Sequence, residues 1–243
     1  GFTIEPETHK AICAHANELF PAVAIERVWQ EFTKGHDFGK LSPMLLQLHE
    51  FGLLGAIFPS LKQIPYSEIA DLLAPTQFYP KQAPTIAFLL ALFPRFTRQE
   101  ALQLALHFKL SKTDQQFVLF LIDFQNLIKK EQHTKTNLYE WAHAYANPSV
   151  EITLQIAAAH MPATTRSLFT THHEAQIQKL LPFIERIKNQ NPVVKSSDLI
   201  QAGVLPGKTM GTLLKEAEKI SINEQINDPK TIIKLLKTRQ IMD

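Results

Sequence analysis

Residues 97–130 read TRQEALQLALHFKLSKTDQQFVLFLIDFQNLIKK. Thr97 with Glu100 three residues later is the pattern of a reciprocal helix cap. The hydroxyl accepts from the backbone three residues on, and the carboxylate reaches back to the first N–H. Leu102, Ala105 and Leu106 follow at helical spacing. Ser111 and Asp114 repeat the cap logic. Phe117, Phe120, Leu121, Phe124 and Ile128 then recur at three- and four-residue steps before Lys129 and Lys130. Cations in a last turn oppose the partial negative charge of the helix C-terminus. The stretch therefore predicts two consecutive helices, the second one long.

The same grammar extends outward. Glu5-Pro6 opens a first helix, with proline where a missing N–H costs nothing, and Ile12, His15, Ala16 and Leu19 follow. A second helix is expected over 23–34, ended by Gly35. Ser42-Pro43 reads as a cap and first helical position, and Gly52 falls just past that helix. The segment 51–65 is apolar enough to be buried. Pro75, Pro80 and Pro84 mark a joint, and 85–93 reads as a short buried helix.

Later helices are expected at 137–146, 149–160 and 172–189, the last kinked or split by Pro182. Asn189-Gln190-Asn191-Pro192 is a polar break. Beyond it, Ser196/Ser197 caps a short helix ending at Gly203, Pro206-Gly207 turns the chain, and helices cover about 209–219 and 228–239. No period-two run bounded by turn residues occurs. The chain reads as all-α.

Composition agrees. Apolar residues are 45% and charged residues 20% of 243, which suits a globular rather than a disordered chain. Eight glycines, about half the usual share of roughly 7%, argue against a β-rich protein. One cysteine, Cys13, excludes an internal disulfide and a cysteine zinc cage; it reads as a core thiol. No apolar run is long enough for a membrane span, no secretory leader is visible, and a cytoplasmic location is expected. The net charge of +2 is uneven: −4 over 1–71, +2 over 72–185 and +4 over 186–243. A lysine-rich C-terminal region suits a polyanion, although a solvated helical tail would look the same.

Little catalytic chemistry is visible. Gly207-Lys208-Thr209 lacks the earlier glycine of a phosphate-binding loop, since Ala202 stands there, and a helix rather than a strand precedes it. His36-Asp37 resembles the core of metal-dependent phosphohydrolases. It would need further ligands, such as His9 or His15, to converge, and it reads as an exposed inter-helix loop. His172-His173 reads as the first turn of a helix. No nucleophile–base pair or paired carboxylates stand at catalytic spacing, so no catalytic residue and no metal ligand is assigned. Arg27 and Glu31, four apart, share a helix face, with Glu26 rotated away from them.

These residues resemble bacterial tRNA nucleotidyltransferases and poly(A) polymerases. The resemblance rests on Gly1 to Thr8, on Ala24-Ile25-Glu26-Arg27-Val28-Trp29-Gln30-Glu31-Phe32, and on 45–59 with Phe51-Gly52-Leu53-Leu54 and Ile57-Phe58-Pro59. It continues at Phe108-Lys109-Leu110-Ser111 and at Asp198-Leu199, Gly203, Pro206-Gly207 and Gly211. The last segment also resembles a helix-hairpin-helix phosphate binder. Gly211 inside its helix is expected to permit close packing.

The resemblance implies an all-α chain with a multi-helical neck (1–73, including the first body helices), a helical body (74–191) and a small basic tail (192–243). It implies an RNA-binding C-terminal part of a template-independent nucleotidyltransferase acting on tRNA or RNA 3′ ends, by CCA addition or polyadenylation, and inactive alone. Glu26, Arg27 and Glu31 would support one wall of the nucleotide pocket. Lys195, Gly203, Gly207, Lys208, Lys215 and Lys219, with Arg95, Arg98, Lys109 and Lys112, would hold RNA. Mg²⁺ and the nucleoside triphosphate would belong to a catalytic head missing from this chain. Whether the chain counts as an enzyme is thus open. The other readings are a phosphohydrolase using His36-Asp37 and a helical protein-interaction scaffold.

Overall fold

The computed structural model describes residues 3–131, 137–239 and 241; Gly1 and Phe2 of the resemblance lie outside the described residues. Among these it is all-α, with no strand. The helices are α1 (Pro6–His15), α2 (Ile25–Asp37), α3 (Leu41–Glu50), α4 (Leu53–Ile57), α5 (Tyr66–Leu73), α6 (Thr85–Leu90), α7 (Arg98–His107) and α8 (Lys112–Glu131). They continue as α9 (Leu138–Ala146), α10 (Val150–Ala159), α11 (Ala163–Lys188), α12 (Ser196–Gln201), α13 (Lys208–Asn223) and α14 (Pro229–Thr238). Shorter helical turns lie at 16–22, 59–61 and 74–78. Two compact units form, one from 1–125 with 152–163, the other from 126–151 with 164–243.

In the first unit, Phe32 of α2, Phe58 and Phe108 are buried together. Ring centroids are 6.4 Å apart for Phe32–Phe58 and 5.9 Å for Phe108 with each of them. Removing such a ring to alanine costs about 3–5 kcal/mol. Helix α2 does not stop at Gly35. A Cβ there would lie 2.8 Å from Met44 Sδ and 3.6 Å from Leu41 Cα, so the missing side chain lets the start of α3 approach. The stop is Gly39, at φ +64. Its N–H donates to His36 and that of Lys40 to Gly35, both at 2.7 Å, the paired bonds of a left-handed helix end.

Ser42 does not cap α3, which already begins at Leu41. Its hydroxyl lies 2.7 Å from Thr76 Oγ1 instead. The cap at Thr97 forms as its sequence requires, with Glu100 N donating to Thr97 Oγ1 at 3.3 Å and Thr97 N to Glu100 Oε2 at 2.7 Å. The Thr97 N–H and the Thr97 hydroxyl both donate to the Glu100 carboxylate, at 2.7 Å each, and hold it below its usual range, the backbone bond contributing most. Ser111 likewise accepts from Asp114 N at 3.1 Å. Cys13 is exposed rather than in the core, because α1 buries none of its residues.

In the second unit, α11 starts nine residues before the expected position and runs through Pro182. Gln178 and Pro182 are both exposed, so solvent can satisfy the carbonyl that proline leaves without a donor. His173 sits mid-helix and is buried against Trp141, 5.0 Å between centroids. The last three helices enclose a core of Leu199, Leu213, Ala217, Ile220, Ile232 and Leu236. Asp228 caps α14, accepting from Thr231 N at 2.8 Å.

Candidate nucleic-acid interface

Glu26, Arg27 and Glu31 lie on α2, but Arg27 and Glu31 do not pair. Glu31 Oε1 accepts from Lys34 Nζ at 2.8 Å, and Arg27 is exposed. An (i, i+3) lysine competes with an (i, i+4) arginine on equal terms when both are solvated. Glu26 pairs instead with Lys109, 83 residues away in sequence. The hydrogen bond from Lys109 holds the Glu26 carboxyl below its usual range, helped by its own backbone N–H.

Lys109 occupies an unusual position. It follows α7 at φ +54, with its N–H on Leu106 and that of Leu110 on Ala105, both at 3.0 Å. This is the left-handed helix end that glycine normally occupies, and an L side chain there is strained. Of the other cations expected on this unit, Arg98 Nε donates to Asp123 at 3.1 Å, while Arg95 and Lys112 are exposed.

In the second unit, α12 and α13 are joined by a hairpin over 202–207. Gly203 stands at φ +98, a region that side chains avoid. Its N–H donates to Ile200 and that of Val204 to Leu199, both at 3.0 Å. Leu205 is 82% exposed, an apolar tip among cations. Gly207 precedes α13 and Gly211 lies four residues on, so the two share a face. A Cβ on either would meet nothing within 4 Å. The packing role expected of Gly211 is therefore wrong: its face is open.

Lys195, Lys208 and Lys215 are exposed. Lys219 is half-buried and committed to Glu216 at 2.6 Å, which makes it the least available cation of the expected set. Lys230, Lys234 and Lys237 on α14 were not singled out from the sequence. Their spacing of four and three residues after the Asp228-Pro229 cap was the available signal. They are exposed, opposite the buried Ile232 and Leu236, and Lys237 Nζ donates to the Ala202 carbonyl at 3.3 Å. That bond brings the stripe to the hairpin.

His36 and Asp37 lie in the last turn of α2, not in a loop. The His36 ring packs on Phe88 with centroids 5.0 Å apart. His9 contacts Phe51 and His15 contacts Glu18, so neither joins the pair. Among the described residues no group of three metal-ligating side chains converges, which leaves the phosphohydrolase reading without its ligands. No helix among them is long and apolar enough to cross a membrane.

Residues 1–64 match the family model described as the probable RNA- and SrmB-binding site of polymerase A. The match spans α1 to α4 and the turn after them, and it includes Glu26, Arg27 and Glu31. This part of the chain is similar to the RNA-binding region of poly(A) polymerases. No curated protein and no solved structure matches the chain.

Proposed function

We propose that the chain is the RNA-binding part of a template-independent nucleotidyltransferase acting in the cytoplasm on tRNA or RNA 3′ ends, by CCA addition or polyadenylation. The observation that carries this reading is the match of residues 1–64 to a polymerase A RNA-binding region. The open glycine face and the lysines beside it support it on separate grounds. Phosphates are held by cations and by backbone N–H groups at a helix start, and the hairpin offers both.

On this reading Arg27 and the Glu26–Lys109 pair face a catalytic head that carries the chemistry. The metal and the nucleoside triphosphate are assigned to that head. Glu26, Arg27 and Glu31 brace the pocket wall rather than react. Lys195, Lys208 and Lys215, with Gly203 and Gly207, take phosphates, and Arg95, Arg98 and Lys112 add contacts on the first unit.

The test is RNA binding by the purified chain over a salt series, beside a nucleotide-incorporation assay. Log K should fall linearly against log salt, by about 0.7 for each phosphate contacted on a single strand, with no incorporation. Incorporation by the chain alone would refute the division of labour. The matched description also names SrmB, so the second reading is a protein partner on this region. Recovery of such a complex with no measurable RNA affinity would favour it.

A further inference from the structure

A groove of about 1010 Å³ opens beside the His36-Asp37 motif, within the first unit. Its walls come from the end of α2, from α3, and from the segment between α5 and α6. Phe38 stands on its lining with 78% of its surface exposed. Deeper in, Phe88 packs against both His36 and Tyr79, at 5.0 and 5.1 Å between centroids. Tyr79 Oη lies 2.7 Å from His160 Nε2. The groove thus has a fixed aromatic floor and an unpartnered ring at its side.

Its polar groups are mostly acceptors. Thr76 gives its single hydroxyl proton to the Leu73 carbonyl at 2.5 Å. The Ser42–Thr76 contact of 2.7 Å must therefore use the Ser42 proton. Ser42 Oγ is left with lone pairs on the groove. Gln77 donates one of its two amide N–H groups to Ala74 at 3.0 Å, which leaves its carbonyl oxygen and one N–H, and the exposed Asp37 carboxylate accepts as well. Lys81 also lines the groove and is exposed.

We propose that this groove holds one unpaired RNA base carrying an exocyclic amino group, stacked on Phe38, with the adjoining phosphate on Lys81. This rests on the RNA-binding reading of the chain and adds the site and the base class. A free aromatic face is what single-stranded RNA binders use as a platform. The acceptors at Ser42, Asp37 and Gln77 outnumber the one free Gln77 N–H once Lys81 takes the phosphate, and so favour the amino group of adenine or cytosine over the carbonyl oxygen that uracil carries there. The groove is large enough to admit a base with its ribose.

The test uses the full chain with labelled oligoadenylate and oligouridylate of one length, in a titration repeated across salt. The expected results are tighter binding of the adenylate, and about tenfold weaker binding of it by Phe38→Ala with the salt slope unchanged, the order of one base–aromatic stack. Lys81→Ala should reduce the slope by about 0.7, and Ser42→Ala should narrow the preference for adenylate. Phe38 and Lys81 are exposed, and circular dichroism checks that each variant folds. If the wild type binds both oligomers and the Phe38 and Lys81 variants match it, the base site is overturned while RNA binding stands. If the wild type binds neither, the RNA-binding reading fails and the site fails with it. If Phe38→Ala keeps RNA affinity but loses a protein partner, the groove is a protein dock and the proposal is refuted.

Discussion

Replacing Gly211 by alanine should stabilise the protein and weaken its hold on RNA, a pair of effects with opposite signs. Gly211 is the fourth residue of α13, exposed, and an added Cβ would touch nothing within 4 Å. Glycine in an exposed helix interior costs about 1 kcal/mol relative to alanine, largely through the freedom it regains on unfolding. The substitution should therefore add ~0.5–1 kcal/mol. For a chain of this size that raises Tm by about 1–4 °C. Binding should move the other way. The methyl group would stand on the face shared with Gly207, where a phosphate approaches the start of the helix. Loss of one charge-assisted hydrogen bond, worth ~1.5 kcal/mol, corresponds to about tenfold in Kd. Thermal unfolding by circular dichroism and an RNA titration on the same preparation read both effects. A lower Tm would refute the open face. A higher Tm with unchanged affinity would show that no phosphate passes there.

Three further outcomes follow from particular residues. Lys109→Gly should raise the unfolding temperature despite the loss of the exposed Glu26 pair, because glycine relieves a left-handed backbone worth ~1 kcal/mol; a lower temperature would mean that the pair outweighs the strain. Lys234→Ala should leave stability unchanged and reduce the slope of log K against log salt by about 0.7; an unaltered slope would remove α14 from the interface. Burial pushes the His173 imidazole down to about 4, so the folded form keeps it neutral while the unfolded chain protonates near 6.5. Above that pH the group carries no penalty. Below it the unfolded state binds the extra proton, and stability falls until about pH 4. The near-ultraviolet signal of Trp141 across a pH series reads this loss, and His173→Gln should flatten it.

Helix type was legible because local signals agree with one another. The Thr97–Glu100 cap, the spacing of Phe117 to Ile128 and the Asp228-Pro229 start each state the same thing at short range, and each is found. Helix ends were harder. Gly35 and Gly39 look alike in sequence, yet one fills a contact with Met44 and the other ends the helix; only the approach of α3 separates them. Left-handed ends at Lys109 and Gln225 carry no glycine and so gave no warning, whereas the one at Gln190 was announced by the polar break around it. The site was legible as residue types rather than as partners. Glu26 was marked, but the partner that holds it is 83 residues away in sequence, beyond any spacing rule. The stripe at Lys230, Lys234 and Lys237 was open to reading from its period alone. Its nearness to the hairpin was not, because that depends on the Lys237–Ala202 bond.

The central claim is that these helices hold RNA through phosphates. Its most direct measurement is the affinity of the purified chain for single-stranded RNA as salt is raised, with log K plotted against log salt concentration. A straight line falling by about 0.7 per phosphate, over several phosphates, is the expected result. A flat line, or no binding at low salt, would contradict it.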